Sequence, residues 1–283
     1  MRFRARRASV VLLTFLLAVT PSFANSTAHP LGTSNLSQDW SSNALITAND
    51  NWSTVPSIEG FLGDRAASGT TADIDPQTVL DPLTTIDVIA NQTNPNTNTS
   101  GGVAEFHSTL QAAPASTNPT IALQGSGTAD HPNIILYLNT SGRMSVNVAY
   151  TLRDIDCSSD NAAQQVALQY RVGNSGNFTN LAAGYVADAT TGPTLCTATT
   201  PVSVTLPAAA NNQPEVQVRI ITSNAGGNDE WVGIDDIVVS SSAAATTLSI
   251  DDVSHSEGNG GATQYDFTVS LSAPAGAGGV TFD

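Results

Sequence analysis

Lysine is absent from this 283-residue chain, and all nine of its basic residues are arginines. Against them stand 24 acidic residues, so the net charge of −15 repels phosphate backbones and excludes nucleic-acid binding by this segment. Aromatic residues are scarce at 6%, too few for both a core and an extended sugar-stacking surface. Only Cys157 and Cys196 carry thiols. They offer neither a C-x-x-C redox pair nor a His/Cys zinc spacing. Outside the first residues no apolar run is long enough to span a bilayer. No window shows a 3.6-residue apolar stripe either, which removes amphipathic helices from consideration.

What is present begins with a leader. Arg2, Arg4, Arg6 and Arg7 form a basic start, Ala8–Thr20 an apolar stretch, and Ser22-Phe23-Ala24 a small-x-small cleavage site. Residues 1–24 therefore read as a secretory signal peptide. Its removal leaves five arginines against 24 acidic residues, a mature charge near −19. Such a surface suits an extracellular compartment and divalent cations. In that compartment Cys157 and Cys196 either stay free or form one disulfide closing a loop of about 40 residues, a bridge that stabilises by roughly 3–4 kcal/mol.

Residues 25–50 are polar and read as a flexible N-terminus. Trp52, Val55, Ile58, Phe61 and Leu62 are the first burial signals. Short strand-like runs follow at 85–90, 103–110, 121–124 and 133–139, divided by Pro, Gly and Asn clusters. Val146, Val148, Tyr150 and Leu152 alternate inward, as do Val166, Leu168, Tyr170 and Val172, with Gln169 and Arg171 placed outward. Gly173-Asn174-Ser175-Gly176 is a turn, and runs at 202–206, 216–221 and 229–239 complete the set. The fold class is all-β: a two-sheet β-sandwich over residues 51–239, jelly roll ahead of an immunoglobulin-like arrangement. Ser240–Thr247 reads as a linker. Residues 248–283 form an incomplete domain, because 36 residues cannot bury a core alone.

The organising stretch is Asn228–Val239, NDEWVGIDDIVV. Strict alternation places Val232, Ile234, Asp236 and Val238 on one face, and Trp231, Gly233, Asp235, Ile237 and Val239 on the other. A carboxylate among apolar strand residues must be paired, hydrogen-bonded or metal-bound. Asp235 and Asp236 are thus either calcium ligands, with Asp229 and Glu230 contributing, or a latch accepting backbone N–H bonds. Asp154-x-Asp156-x-Ser158-x-Asp160 sets oxygens at alternate positions, as a calcium loop does. It has Ser159 where an EF-hand has glycine and Gln165 where it has glutamate, so an acidic hairpin loop is the competing reading. His29, His107, His131 and His255 are scattered and read as surface or loop residues. Glu59 and Glu105 offer the two carboxylates of an acid–base pair, and nothing in the sequence joins them. The tryptophans and tyrosines alternate inward and read as core rather than as a sugar platform. Seven Asn-x-Ser/Thr sequons matter only in a glycosylating host.

Two resemblances follow from these residues. Val253, Glu257, Gly258, Gly260, Gly261, Phe267, Val269 and Leu271 resemble the opening of a Calx-beta domain, with three residues instead of one between Val253 and Glu257. That resemblance implies a calcium-binding sandwich, with Glu257 in its site. WSTVPSIEGFLGD, VALQYRVG, SGNFTN and DEWVGIDDIVV resemble jelly-roll modules at the front of large secreted bacterial proteins, and the last is similar to the closing strand of MAM-type sandwiches. This layout implies Calx-beta repeats or an extracellular endonuclease or phosphoesterase further along. The reading as a whole is a secreted, non-catalytic module with a structural calcium and no enzyme activity of its own. Its partner is an unidentified extracellular ligand, a polysaccharide or cell surface, in adhesion or substrate presentation. The accessory front of a nuclease and a carbohydrate-binding module are the alternatives.

Overall fold

The computed structural model describes residues 25–42, 45–65, 72–98, 100–107, 118–157, 162–192, 194–256 and 258–272. The expected leader, Asp160 and Glu257 lie outside them. The described chain is an all-β sandwich with no α-helix among the described residues. In chain order the strands are β1 (His29–Pro30), β2 (Leu36–Gln38), β3 (Ile58–Phe61), β4 (Ile89–Gln92) and β5 (Gly102–Phe106). Then come β6 (Thr120–Gln124), β7 (Asn133–Asn139), β8 (Arg143–Asp154), β9 (Val166–Val172) and β10 (Thr179–Asn180). Last are β11 (Thr199–Thr205), β12 (Val216–Thr222), β13 (Val232–Ala243), β14 (Leu248–Ile250) and β15 (Val269–Leu271).

One sheet runs β1-β7-β12-β9-β10 with β3 also on β7, and the other β11-β8-β13-β6-β5-β4 with β2 on β13. From β6 onward the chain crosses repeatedly between the sheets, as in a jelly roll. The inward residues of β8 (Val146, Val148, Tyr150, Leu152), β9 (Val166, Leu168, Tyr170) and β12 (Val216, Val218, Ile220) share one core. Val172, expected inward, is instead exposed.

Both sheets are also covered on their outer faces, which alternation alone does not reveal. Phe106, Ala122, Ile155 and Trp231 cluster outside one sheet, and Phe61, Ile135, Tyr137 and Phe178 outside the other. Gln169 points away from the central core, as expected, yet is fully buried, donating to the carbonyls of Pro76 and Val79. The segment 25–50 differs too: β2 pairs with β13, and Leu31, Leu36, Trp40 and Ile46 are core residues. Apolar residues spaced among serines and asparagines give no periodic signal, although they pack as well as any strand. At the other end, Ser240–Ala243 of the expected linker continues β13 against β8. Among the described residues, β14 and β15 stand apart as a two-stranded ribbon, with Ile250, Phe267 and Val269 more than half exposed.

The acidic strand β13 carries the largest local departure. Pairing with β8 slips by one residue between Asp235 and Val238, and Asp236 adopts a left-handed φ of 51°. This is a β-bulge, and it reverses the phase of alternation. Val232 and Ile234 face the core before it, Ile237 and Val239 after it, while Val238 is exposed. Asp tolerates the left-handed region better than most residues, which suits it to the bulge.

Gly63 shows how tightly the sheet ends are packed. Its φ is +72°, and a Cβ there would sit 1.9 Å from the His131 carbonyl oxygen. Gly63→Ala combines a disfavoured backbone with a backbone clash, and is expected to cost about 2–3 kcal/mol. Urea unfolding reads this directly, and an unchanged midpoint would contradict it.

Candidate functional site

The loops between β4 and β5, β6 and β7, and β12 and β13 meet at one end of the sandwich and enclose a cleft of about 620 Å³. Its lining is polar: Asn96, Asn98, Gln124, Asn224 and Asn228 supply carboxamides, Ser126 a hydroxyl, and Asp156 and Asp229 carboxylates. Gly125 is required for the close loop approach, since a Cβ there would fall 2.4 Å from Asn224 Cα and 2.5 Å from Asp229 Oδ1. No aromatic residue or histidine lines the cleft among the described residues. Trp40, Trp52 and Trp231 are core residues with at most 1% exposure, so none offers a stacking face.

The carboxylates singled out in the sequence divide into three situations. Asp235 is fully buried and already partnered. Its Oδ2 accepts from Arg153 Nη1 at 2.7 Å and Asn118 Nδ2 at 2.7 Å, and its Oδ1 from the Asp236 N–H. Burial raises its carboxyl above the usual carboxylate range, opposed by the Asp236 amide and Arg153. Asp236, one residue on, is exposed at the bulge. Asp229 organises the β12–β13 loop, its Oδ1 accepting from Ala225 N at 2.6 Å and Gln164 Nε2 at 3.0 Å. Burial raises it as well, with the charge of Asp73 acting in the same direction.

The remaining acids converge where β8 and β13 leave the sheet. Asp154 pairs with Val232, and Ile155 N bonds Trp231 O. Asp156 and Glu230 each lie two residues beyond that last pair, and both are buried. Asp154 Oδ2 accepts from Thr191 N at 2.8 Å and Thr191 Oγ1 at 2.7 Å, and its Oδ1 from Asp156 N at 3.2 Å. Asp188 joins from the loop before β11, its Oδ1 accepting from Gln164 N, Thr190 N and Thr190 Oγ1. Burial pushes Glu230 up to about 7, reinforced by the charges of Asp154, Asp156 and Asp188. Asp154 is also raised by burial. Asp160 and Glu257, the other expected ligands, lie outside the described residues. Asp188 and Thr190 escaped sequence reasoning, since nothing periodic marks their loop. The disulfide Cys157–Cys196, with Cα atoms 4.9 Å apart, was the one signal that could have drawn that loop beside Asp156.

Glu59 and Glu105 sit in opposite sheets with separate partners. Glu59 accepts from Tyr137 OH and Asn25 Nδ2, and Glu105 from the Ile46 and Asn91 amides. Of the four histidines expected at the surface or in loops, His131 lies in the loop between β6 and β7 but is fully buried, with Nδ1 3.0 Å from Ser223 Oγ. Burial holds its imidazole down to about 4, with the charge of Arg65 adding to the effect.

No protein-family model and no curated protein matches the chain. Among solved structures, the K2 cleaved adhesin domain of Lys-gingipain is similar at 12% identity and TM-score 0.39, covering 74% of this chain and 99% of that one. The K1 cleaved adhesin domain of Lys-gingipain from Porphyromonas gingivalis W83 gives 13% identity and TM-score 0.38 over the same shares. TmCBM61 in complex with beta-1,4-galactotriose gives 14% and 0.31, over 53% of this chain and 92% of that one. Likenesses this low carry no argument about what this chain binds.

Proposed function

We propose that the chain is a secreted, non-catalytic binding module that holds an uncharged, hydroxyl-rich ligand, a polysaccharide or cell-surface glycan, in the cleft at its loop end. The leader and the paired cysteines support secretion. The cleft lining carries the rest of the reading. Carboxamides offer both donors and acceptors, the two kinds of partner each sugar hydroxyl needs. The acidic balance of the chain disfavours phosphorylated or sulfated ligands. In place of stacking, the ligand is held by hydrogen bonds along a polar wall, so affinity is modest and specificity lies in hydroxyl geometry.

A glycan array, followed by calorimetry on the hits, tests this. Asn228→Ala removes an exposed lining carboxamide, and is expected to weaken binding about tenfold, the equivalent of about 1.4 kcal/mol. The melting temperature should stay unchanged. Silence across neutral glycans would sink the reading, and so would binding confined to anionic ones.

A further inference from the structure

We propose that Asp154, Asp156, Asp188 and Glu230 form a divalent-cation site, calcium by its ligand chemistry, which ties the end of β8 and the start of β13 to the disulfide-bonded loops. The inference stands on its own, whether or not the adjoining cleft takes a glycan.

Three observations carry it. First, Asp156 and Glu230 each follow the last paired residues of β8 and β13, Asp154 and Val232, and the charges of Asp154, Asp156 and Asp188 all act on Glu230; like charges so gathered repel unless something bridges them. Second, Glu230 is 1% exposed, and its Oε2 has no hydrogen-bond partner among the described residues. A carboxylate oxygen left bare in the interior is costly, and a cation is the partner that removes the cost. Thr190 cannot do so. Its single hydroxyl proton is shared among Glu230, Asp188 Oδ1 at 3.0 Å and the Ala162 carbonyl at 3.1 Å.

Third, the protein has no cation of its own to spend here. Lysine is absent, and every described arginine outside the leader is engaged elsewhere. Arg65 pairs with Asp81, Arg153 with Asp235, Arg143 with Ser241, Arg171 with Gln217, and Arg219 with Gln169. The charges of Asp154, Asp156 and Asp188 thus fall on Glu230 without an arginine paired to it among the described residues.

Among the described residues no three acidic side chains are already at metal-ligand spacing. Binding therefore draws them inward, the unpartnered Glu230 oxygen among them. Calcium tolerates this: it accepts six to eight oxygens at about 2.3–2.6 Å in flexible arrangements, with carbonyls and hydroxyls completing the shell. Magnesium demands a near-ideal octahedron and is the poorer fit.

The test uses the whole secreted protein, stripped with EGTA and titrated with CaCl₂ or MgCl₂ by calorimetry and thermal melting. Calcium is expected to bind and raise the melting temperature, with magnesium weaker. Glu230→Gln is expected to lower calcium affinity at least tenfold, while melting in EGTA no lower than the parent, because a repelling charge is gone. Asp236→Asn, at the exposed bulge, should leave the calcium shift intact. The proposal is overturned if calcium produces neither heat nor a shift, which would mean that Glu230 simply keeps a proton. It is equally overturned if the shift survives in Glu230→Gln.

Discussion

Replacing Arg219 with methionine is expected to lower the unfolding free energy by about 3–4 kcal/mol. Arg219 is fully buried on the outer face of β12. Its Nε donates to Gln169 Oε1 at 2.8 Å and its Nη1 to the Asp81 carbonyl at 2.9 Å, while Nη2 reaches the Val79 carbonyl and Gln169. The guanidinium lies 4.1 Å from the centre of the Phe178 ring. Two effects compete in the substitution. Burial disfavours the charge and holds the group down to about 9, so removing it returns some desolvation energy. Methionine, however, orphans Gln169 Oε1 and the Asp81 carbonyl at about 1–3 kcal/mol each, and forfeits a desolvated cation–π contact of about 2 kcal/mol. The orphaned acceptors prevail. The double variant Arg219→Met, Gln169→Leu is expected to lose less than the sum of the two single losses, because the orphaned Gln169 Oε1 goes with its side chain, while the Val79 and Asp81 carbonyls still lose their donors. Chemical denaturation of the four species reads this out. Additive losses would show that the two side chains do not act as a unit.

Arg219 also marks where sequence reasoning stops. The central core was legible because Val146, Val148, Tyr150 and Leu152 alternate with polar residues, and the burial of the alternating set follows. β7 and β9 span the stretches 133–139 and 166–172 that the sequence marks out as strands. The outer faces were not legible. Gln169 and Arg219 occupy positions that face solvent in a bare sandwich, and what covers them is the stretch around Asp75–Asp81, which has no period. The bulge at Asp236 was hidden for a different reason. Period-two logic extends across any residue, and only the left-handed backbone of one aspartate reverses it. For the acids, the sequence placed Asp154 and Asp156 in one candidate loop and Glu230 in another. Antiparallel pairing of β8 with β13, set by apolar positions far from the site, joins them. Asp188 enters through a covalent bond whose consequences only the folded loops display.

Removing that bond is expected to have the largest effect of all. Cys157→Ser with Cys196→Ser should cost about 4 kcal/mol, the chain-entropy value for a closed loop of this size, the two cysteines being 39 residues apart. The Cα separation of 4.9 Å falls in the ordinary range for a bridge, so the cross-link acts mainly by restricting the unfolded chain. Local terms add to it. Cys157 follows Asp156 and donates its N–H to Asn96 in the cleft wall, while Thr191, which holds Asp154, bonds the Leu195 carbonyl just before buried Cys196. Opening the bridge thus lets two acid-bearing loops part along their own repulsion. The double serine variant is expected to melt well below the parent while keeping its β-sheet circular dichroism at low temperature. Calcium should restore less of its stability than it adds to the oxidised protein, since a cation must then gather loops that are no longer tethered. Equal melting temperatures with and without reductant would show that the loops are held by their hydrogen bonds alone, and that the bridge contributes nothing to the fold.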